Sequence, residues 1–288
     1  MLKIQIPLSV PKSARREYEK NYRNLTNNSG NMLLIAGDQK VEHLNSDFFG
    51  PGIAKEDASP KHLFDITKAS KGGVLATHLG FIARYGKDYP TIPYIVKVNG
   101  KTNLGPNDEK NSSALWWTVD DIIKFKKDSG LKIGGVGYTV YLGGKYEAEM
   151  LKEAAKLSFE AHRVGLLSII WMYPRGKNVK EEDIHTIAGG AGTAGALNAD
   201  FVKIKYPFDL KDKKKTALDF QEAVLAAGRT KIICVGGSKR SEKEMLEFLK
   251  LQVKISGSSG LAIGRNLHQR NLKEASEMAQ KLGKVIFS

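Results

Sequence analysis

A lysine stands inside an apolar segment at Lys203 of DFVKIKYP. Burying a charged ammonium costs free energy, so such a lysine is expected to have a lowered pKa and to present a nucleophilic amine near neutral pH. A lysine in a strand can also turn outward or pair with an acid. Lys205 lies two residues further on, and in a strand it shares the face of Lys203, so alternation alone does not separate the two. A reactive amine of this kind forms imines with carbonyl compounds, and three further groups could serve that chemistry.

Asp38, in AGDQKVEH, directly follows an apolar run; it could cap the next turn, hold an ammonium, orient hydroxyls or assist proton transfer. WMYPRG (171–176) ends another apolar run, with Trp171 and Tyr173 pointing the same way either as core or, for the phenol, as an acid or base. The turns VGGSKR (235–240) and AIGRN (262–266) bring Gly236, Gly237 and Gly264, whose backbone N–H groups can face an anion, with Lys239 and Arg265 adding formal charge. Together they predict a phosphate grip.

These groups need elements that place them at one end of a fold. Short branched runs at 32–37, 72–77, 93–98, 134–140, 166–172, 200–206, 231–236 and 260–264 alternate with segments of helical period, clearest at 144–164, 181–197, 214–227, 241–253 and 266–282. In 144–164 the apolar face is assigned to Ala148, Leu151, Ala155, Leu157, Phe159 and Ala161. Eight near-continuously apolar strands with helices between them predict an α/β fold, a single-domain (β/α)8 TIM barrel over 31–288. Residues 1–30, helical around 13–25, form an N-terminal helical extension that caps the barrel's N-terminal face or meets a neighbouring subunit. The candidate groups then fall at strand C-termini, where barrel enzymes collect their chemistry, and the glycine turns follow strands seven and eight, the usual phosphate position. The long segments 43–59 and 99–113 follow strands one and three and belong on the same face.

The bulk numbers fit. The chain has 288 residues and is 41% apolar, enough for one large core. A single cysteine, Cys234, excludes an intramolecular disulfide framework and fits a reducing compartment. No stretch reads as a signal peptide or a membrane span, so a cytoplasmic protein without a membrane partner is expected. The net charge of +14 is interleaved with acids except at Lys211–Lys215, which suits a solvated surface or attraction of anionic substrates better than nucleic acid. The six histidines lack zinc-site spacing, and Asp38, Glu42 and His43 crowd one loop without a fourth ligand, so neither a metal nor another cofactor is expected.

In their order, AGDQKVEH, YEAEMLKEAAKLSFEAHRVGLLSIIWMYPRG, ADFVKIKYP, VGGSKR and LAIGRN resemble the archaeal-type class I fructose-bisphosphate aldolases, within the deoxyribose-phosphate aldolase-like barrels. The resemblance spans roughly 30–285. It implies Lys203 rather than Lys205 as the Schiff-base lysine, Tyr173 as proton carrier, Asp38 beside them, Trp171 as a wall, and Gly236, Gly237, Gly264 and Arg265 as phosphate ligands. Lys239 belongs to the first phosphate turn, and Arg175 is expected near the far phosphate. The implied activity is a lyase reaction of glycolysis and gluconeogenesis, cleaving or forming fructose 1,6-bisphosphate from dihydroxyacetone phosphate and glyceraldehyde 3-phosphate in a homo-oligomer, by resemblance a decamer. The alternatives are a transaldolase-type synthase similar to the 2-amino-3,7-dideoxy-heptulosonate synthases, and a non-catalytic barrel binding phosphate ligands or nucleic acid. Asp38-Gln39-Lys40 departs from the family's Asp-His-Gly, Pro207-Phe208-Asp209 from its Thr-Gly-Asp, and Val235-Gly236-Gly237 from its Ser-Gly-Gly.

Overall fold

The structure, a computed structural model, describes residues 2–106, 109–207 and 211–288. Eight parallel strands close a barrel: β1 (Met32–Ala36), β2 (Val74–His78), β3 (Tyr94–Lys97), β4 (Ile133–Leu142), β5 (Leu167–Pro174), β6 (Phe201–Ile204), β7 (Lys231–Val235) and β8 (Gly260–Ile263). Each pairs with its chain neighbours, and β8 closes on β1 through Met32↔Gly260 to Ile35↔Ile263. All eight expected strands are present.

Period-two alternation divides the buried side chains into two sets. Met32, Leu34 and Ala36 of β1, Leu167, Ile169 and Trp171 of β5, and Phe201 of β6 fill the barrel. Leu33, Ile35, Ile170, Met172, Val202 and Ile204 pack outward against the helices. Lys203 has the parity of Phe201, and Trp171 the parity of Ile169, so both face inward. β4 contributes Gly135 and Gly137 to the interior, opposite Leu167 and Ile169. A methyl group at 137 would lie 2.2 Å from the Trp171 ring, so only glycine leaves the indole its place.

The N-terminal segment closes the opposite end. Val10, Tyr18, Tyr22 and Leu25, the last three on helix Arg15–Leu25, join the interior cluster. Burying side chains of this size contributes about 1.5–3 kcal/mol each. The Tyr18 hydroxyl donates to Asp200, which also accepts from the Ser168 N–H at 2.8 Å and meets His162 at 3.0 Å. Asn21 Nδ2 donates to the Gly165 carbonyl at 2.8 Å. The helix is thus tied to the entrances of β5 and β6.

Three helical expectations need correction. The segment 214–227 is two helices, Lys213–Asp219 and Gln221–Ala227, interrupted at Phe220, whose ring is buried against Tyr206 at 4.8 Å. Likewise 266–282 divides into Arg265–His268 and Leu272–Ile286, because the Asn271 side chain caps the second by accepting from the Glu274 N–H. Helix Glu147–Arg163 buries Met150, Ala154, Leu157, Ser158, Ala161 and His162, while Ala148, Ala155 and Phe159 are exposed. The true stripe includes polar residues with buried partners, Ser158 on Ser168 at 2.7 Å and His162 on Asp200, which an apolar criterion passes over.

Candidate active site

The strand C-termini gather the expected groups. Lys203 is 4% exposed, and its Nζ lies 4.0 Å from Asp38 Oδ1 across the barrel. That oxygen is buried and has no hydrogen bond among the described residues, so it is open to a proton or a substrate hydroxyl. The Lys203 ammonium is 5.0 Å from the centroid of the Trp171 ring, its register partner on β5. Tyr173 lies two residues beyond Trp171 on the same face.

Lys205 is separated by geometry. β6 ends at Ile204, and Lys205 turns to the rim, where it pairs with Glu181 at 3.7 Å and with Glu182.

The expected lowering of the Lys203 pKa is not what the surroundings give. Burial does push it down, but the Asp38 carboxylate and the Tyr173 oxygen push it up further, and the net direction is upward. Burial acts against the Asp38 carboxylate in turn, and Lys203, Lys97 and His78 more than offset it, holding its pKa below the usual value. The resting pair is therefore an ammonium beside a carboxylate. Burial raises the Tyr173 phenol, with Asp38 and Glu42 adding to the effect, so it rests protonated and able to donate.

A second interior lysine was not anticipated. Lys97, at the end of β3, is fully buried; its Nζ donates to Asn99 Oδ1 at 2.6 Å and to the Asn99 carbonyl at 2.7 Å, and lies 5.7 Å from the Trp171 ring. Burial lowers its pKa to about 8 against the attraction of Glu42 and Asp38. PYIVKV carried the same signal as FVKIKY, a lysine in an apolar strand, and could have revealed it.

His78, ending β2, was also passed over. Its Nδ1 donates to the Lys97 carbonyl at 3.2 Å, its ring packs on Trp116 at 4.7 Å, and its Nε2 is buried without a partner among the described residues. Burial, then Lys97, lower its pKa from 6.5 to about 4. The folded form binds its proton less readily than the unfolded form, so this contribution to stability is complete above the unfolded value of 6.5 and is lost as pH falls toward 4. Thermal melting should therefore show an acid loss, at most about 3 kcal/mol, that shrinks in His78→Asn. An unchanged pH dependence in that variant would rule His78 out as the source.

Beyond these groups a cavity of about 330 Å³ opens at the rim, bordered by Tyr173, Arg175, Gly237, Ser238, Arg240 and Arg265. Gly237 takes φ +70°, a left-handed conformation that glycine adopts without strain. Asn266, fully buried, donates to the carbonyls of Gly236, Gly237 and Ser238 at 3.1, 3.3 and 2.8 Å and accepts from the Arg240 N–H at 2.7 Å. It staples the turn after β7 to the turn after β8. The Arg265 guanidinium lies 3.9 Å from Asp47.

Of the expected phosphate-turn residues, Gly237 and Arg265 border this cavity, whereas Gly236, Gly264 and Lys239 do not. Lys239 has its Nζ on the Gly52 carbonyl at 2.8 Å and the Gln269 carbonyl at 3.3 Å, and Arg240 takes the rim position instead. The helix after β7 starts only at Glu242, and its first turn is capped by Ser241, so its positive end is set back from the glycines. Arg175 lies over Tyr173 at 4.9 Å and Tyr141 at 5.5 Å, and Lys101 Nζ is 4.8 Å from the Tyr141 ring. Asp38, Glu42 and His43 do not converge: Glu42 approaches the Tyr141 hydroxyl at 3.4 Å and His43 bonds Asp47 at 2.5 Å. Of the departures from the family pattern, Phe208 and Asp209 lie outside the described residues.

A family profile described as DeoC/LacD family aldolase matches residues 32–270. The chain belongs to this aldolase family. The aldolase is 53% identical to the fructose-bisphosphate aldolase/6-deoxy-5-ketofructose 1-phosphate synthase of Methanocaldococcus jannaschii, over 97% of this chain and 89% of that protein. It is 33% identical to the class 1 fructose-bisphosphate aldolase of Halobacterium salinarum over 84% of this chain and 85% of that one. Among solved structures, a fructose-bisphosphate aldolase from Slackia heliotrinireducens superposes with a TM-score of 0.94 at 42% identity, covering 99% of this chain and 90% of that one. An archaeal fructose-1,6-bisphosphate aldolase, with its catalytic lysine covalently bound to the carbinolamine intermediate, superposes with a TM-score of 0.79 at 27% identity, covering 94% and 100%.

Proposed function

We propose that the chain is a class I aldolase that cleaves and forms fructose 1,6-bisphosphate through an imine on Lys203. The observation that carries this reading is the Lys203 amine, enclosed inside the barrel 4.0 Å from an Asp38 oxygen that has no hydrogen bond among the described residues.

An ammonium cannot attack a carbonyl, so the reaction begins with loss of a proton from Lys203, for which Asp38 is the adjacent acceptor. The amine adds to C2 of the ketose, and the resulting carbinolamine loses water after Tyr173 donates a proton to its hydroxyl. The protonated imine is the electron sink that cleavage requires: the C3–C4 electrons flow into it and leave an enamine. Tyr173, now a phenolate, takes the C4 hydroxyl proton as the aldehyde departs, then returns it to C3 of the enamine. Hydrolysis of the imine releases dihydroxyacetone phosphate. Asp38 orients hydroxyls throughout and Trp171 walls the reacting carbons. The turns at 236–238 and 264–265 hold the C1 phosphate and Arg175 faces the far phosphate. We extend the proposal to a cytoplasmic homo-oligomer acting in glycolysis and gluconeogenesis.

A second reading, a transaldolase-type synthase that keeps the imine but delivers the enamine to another acceptor, is favoured by the double name of the Methanocaldococcus relative. Assays of fructose 1,6-bisphosphate cleavage and of condensation onto alternative acceptors, run side by side with and without chelator, separate the two. Chelator-resistant cleavage is expected. Condensation without cleavage would transfer the assignment to the synthase, and a chelator-sensitive reaction would overturn both.

A further inference from the structure

The loop after β1 carries a buried ionisable pair that the chemistry above leaves unused. Asp57 and His268 are 1% and 0% exposed. Asp57 comes from the short turn Lys55–Ala58, His268 from the single helical turn Arg265–His268 after β8. His268 Nδ1 donates to Asp57 Oδ2 at 2.7 Å, and Nε2 faces Gln39 Oε1 at 3.3 Å. The imidazole is held flat by Phe48, stacked at 4.6 Å and 8°.

Gln39 is the residue after Asp38, and its amide packs directly on Gly264: a methyl group there would lie 2.1 Å from Gln39 Oε1. One chain of contacts therefore runs from Asp57 through His268 and Gln39 to the peptide of Gly264, while Gln39 is covalently joined to the acid beside Lys203. Neither Asp57 nor His268 borders the cavity. Two further contacts of the loop point the same way. The Ala54 N–H donates to the Gln269 carbonyl at 3.2 Å and Gln269 Nε2 to the Asp47 carbonyl at 2.9 Å, so both fasten the loop onto the β8 turn.

We propose that Asp57 and His268 are a positioning couple that acts through Gln39 to hold the Gly264–Arg265 turn in register with Asp38, and so governs how tightly the substrate phosphate binds. The couple affects capture of the phosphorylated ketone and leaves imine formation on the bound ketone unchanged. This rests on the reading of Gly264 and Arg265 as phosphate ligands.

The test titrates dihydroxyacetone phosphate against the initial rate of borohydride trapping on Lys203. Asp57→Asn, His268→Asn and Gln39→Met should each raise the half-saturating concentration about tenfold, with the maximal rate changed less than about threefold. The Asp57→Asn/His268→Asn double variant should be no worse than the more affected single one, as expected of groups acting as a unit. Gln39 is half-buried, so its variant reports on the link even where a change at the buried pair prevents folding. Half-saturation within about twofold of the parent protein in the folded variants, or a fall confined to the maximal rate, overturns the proposal. Arg265→Gln is the control: unchanged half-saturation there refutes the phosphate reading itself, whereas a shift there without one in Gln39→Met refutes only the couple.

Discussion

Lys203→Arg is expected to abolish cleavage of fructose 1,6-bisphosphate, with kcat lower by on the order of 10⁴-fold or more, and to leave no borohydride-stable adduct with dihydroxyacetone phosphate. A guanidinium stays protonated at any accessible pH and cannot add to a carbonyl, so the covalent route is closed and not merely slowed. Charge is preserved beside Asp38, whose carboxylate lies 4.0 Å away, and a cation remains over the Trp171 ring. The variant therefore keeps its principal electrostatic partners, and its loss is chemical. Mass spectrometry of the trapped parent protein should place the adduct on Lys203. An adduct on Lys97 or Lys205, or one that survives in Lys203→Arg, would end the assignment.

Tyr173→Phe should lower kcat by about 10²–10⁴-fold, the range associated with removal of a positioned proton donor and acceptor. The phenol is raised above its usual pKa by burial and by Asp38 and Glu42, so the group removed is a neutral acid that becomes a base only after it has donated. Two readouts isolate this role from packing. Exchange of the C3 hydrogen of dihydroxyacetone phosphate with deuterated water should fall in parallel with cleavage, because both need a proton carrier at that carbon. Slow trapping on Lys203 should persist, because the amine and Asp38 remain. Exchange that continues at the parental rate would give the proton-carrier role to another group.

What was legible in the sequence follows from how far each feature depends on neighbours along the chain. The strands could be read because each is a short branched run, and Lys203, Asp38 and Tyr173 because they end such runs at the face where a barrel collects its chemistry. The protonation of Lys203 could not be read, since it is decided by Asp38, which stands 165 positions earlier and approaches only through barrel closure. The same holds for Asn266, an unremarked third letter of GRN whose side chain organises the neighbouring turn. Lys239 failed in the opposite sense: its place in VGGSKR suggested an anion ligand, but its stem reaches back to the Gly52 and Gln269 carbonyls. Lys97 and His78 carry the same signal as Lys203, a polar side chain at the end of an apolar strand, and are legible on the same grounds.

The exchange between Gly137 and Trp171 has a bearing on which sugars can be handled. The indole occupies the space that β4 leaves vacant, 5.0 Å from the Lys203 amine and 5.7 Å from the Lys97 amine, so any larger residue at 137 would displace the ring both amines rest on. The open space lies instead at the rim, where Arg175 borders the cavity. Diversification within such an architecture would then proceed by remodelling its upper edge, while the imine centre and its aromatic base are inherited intact.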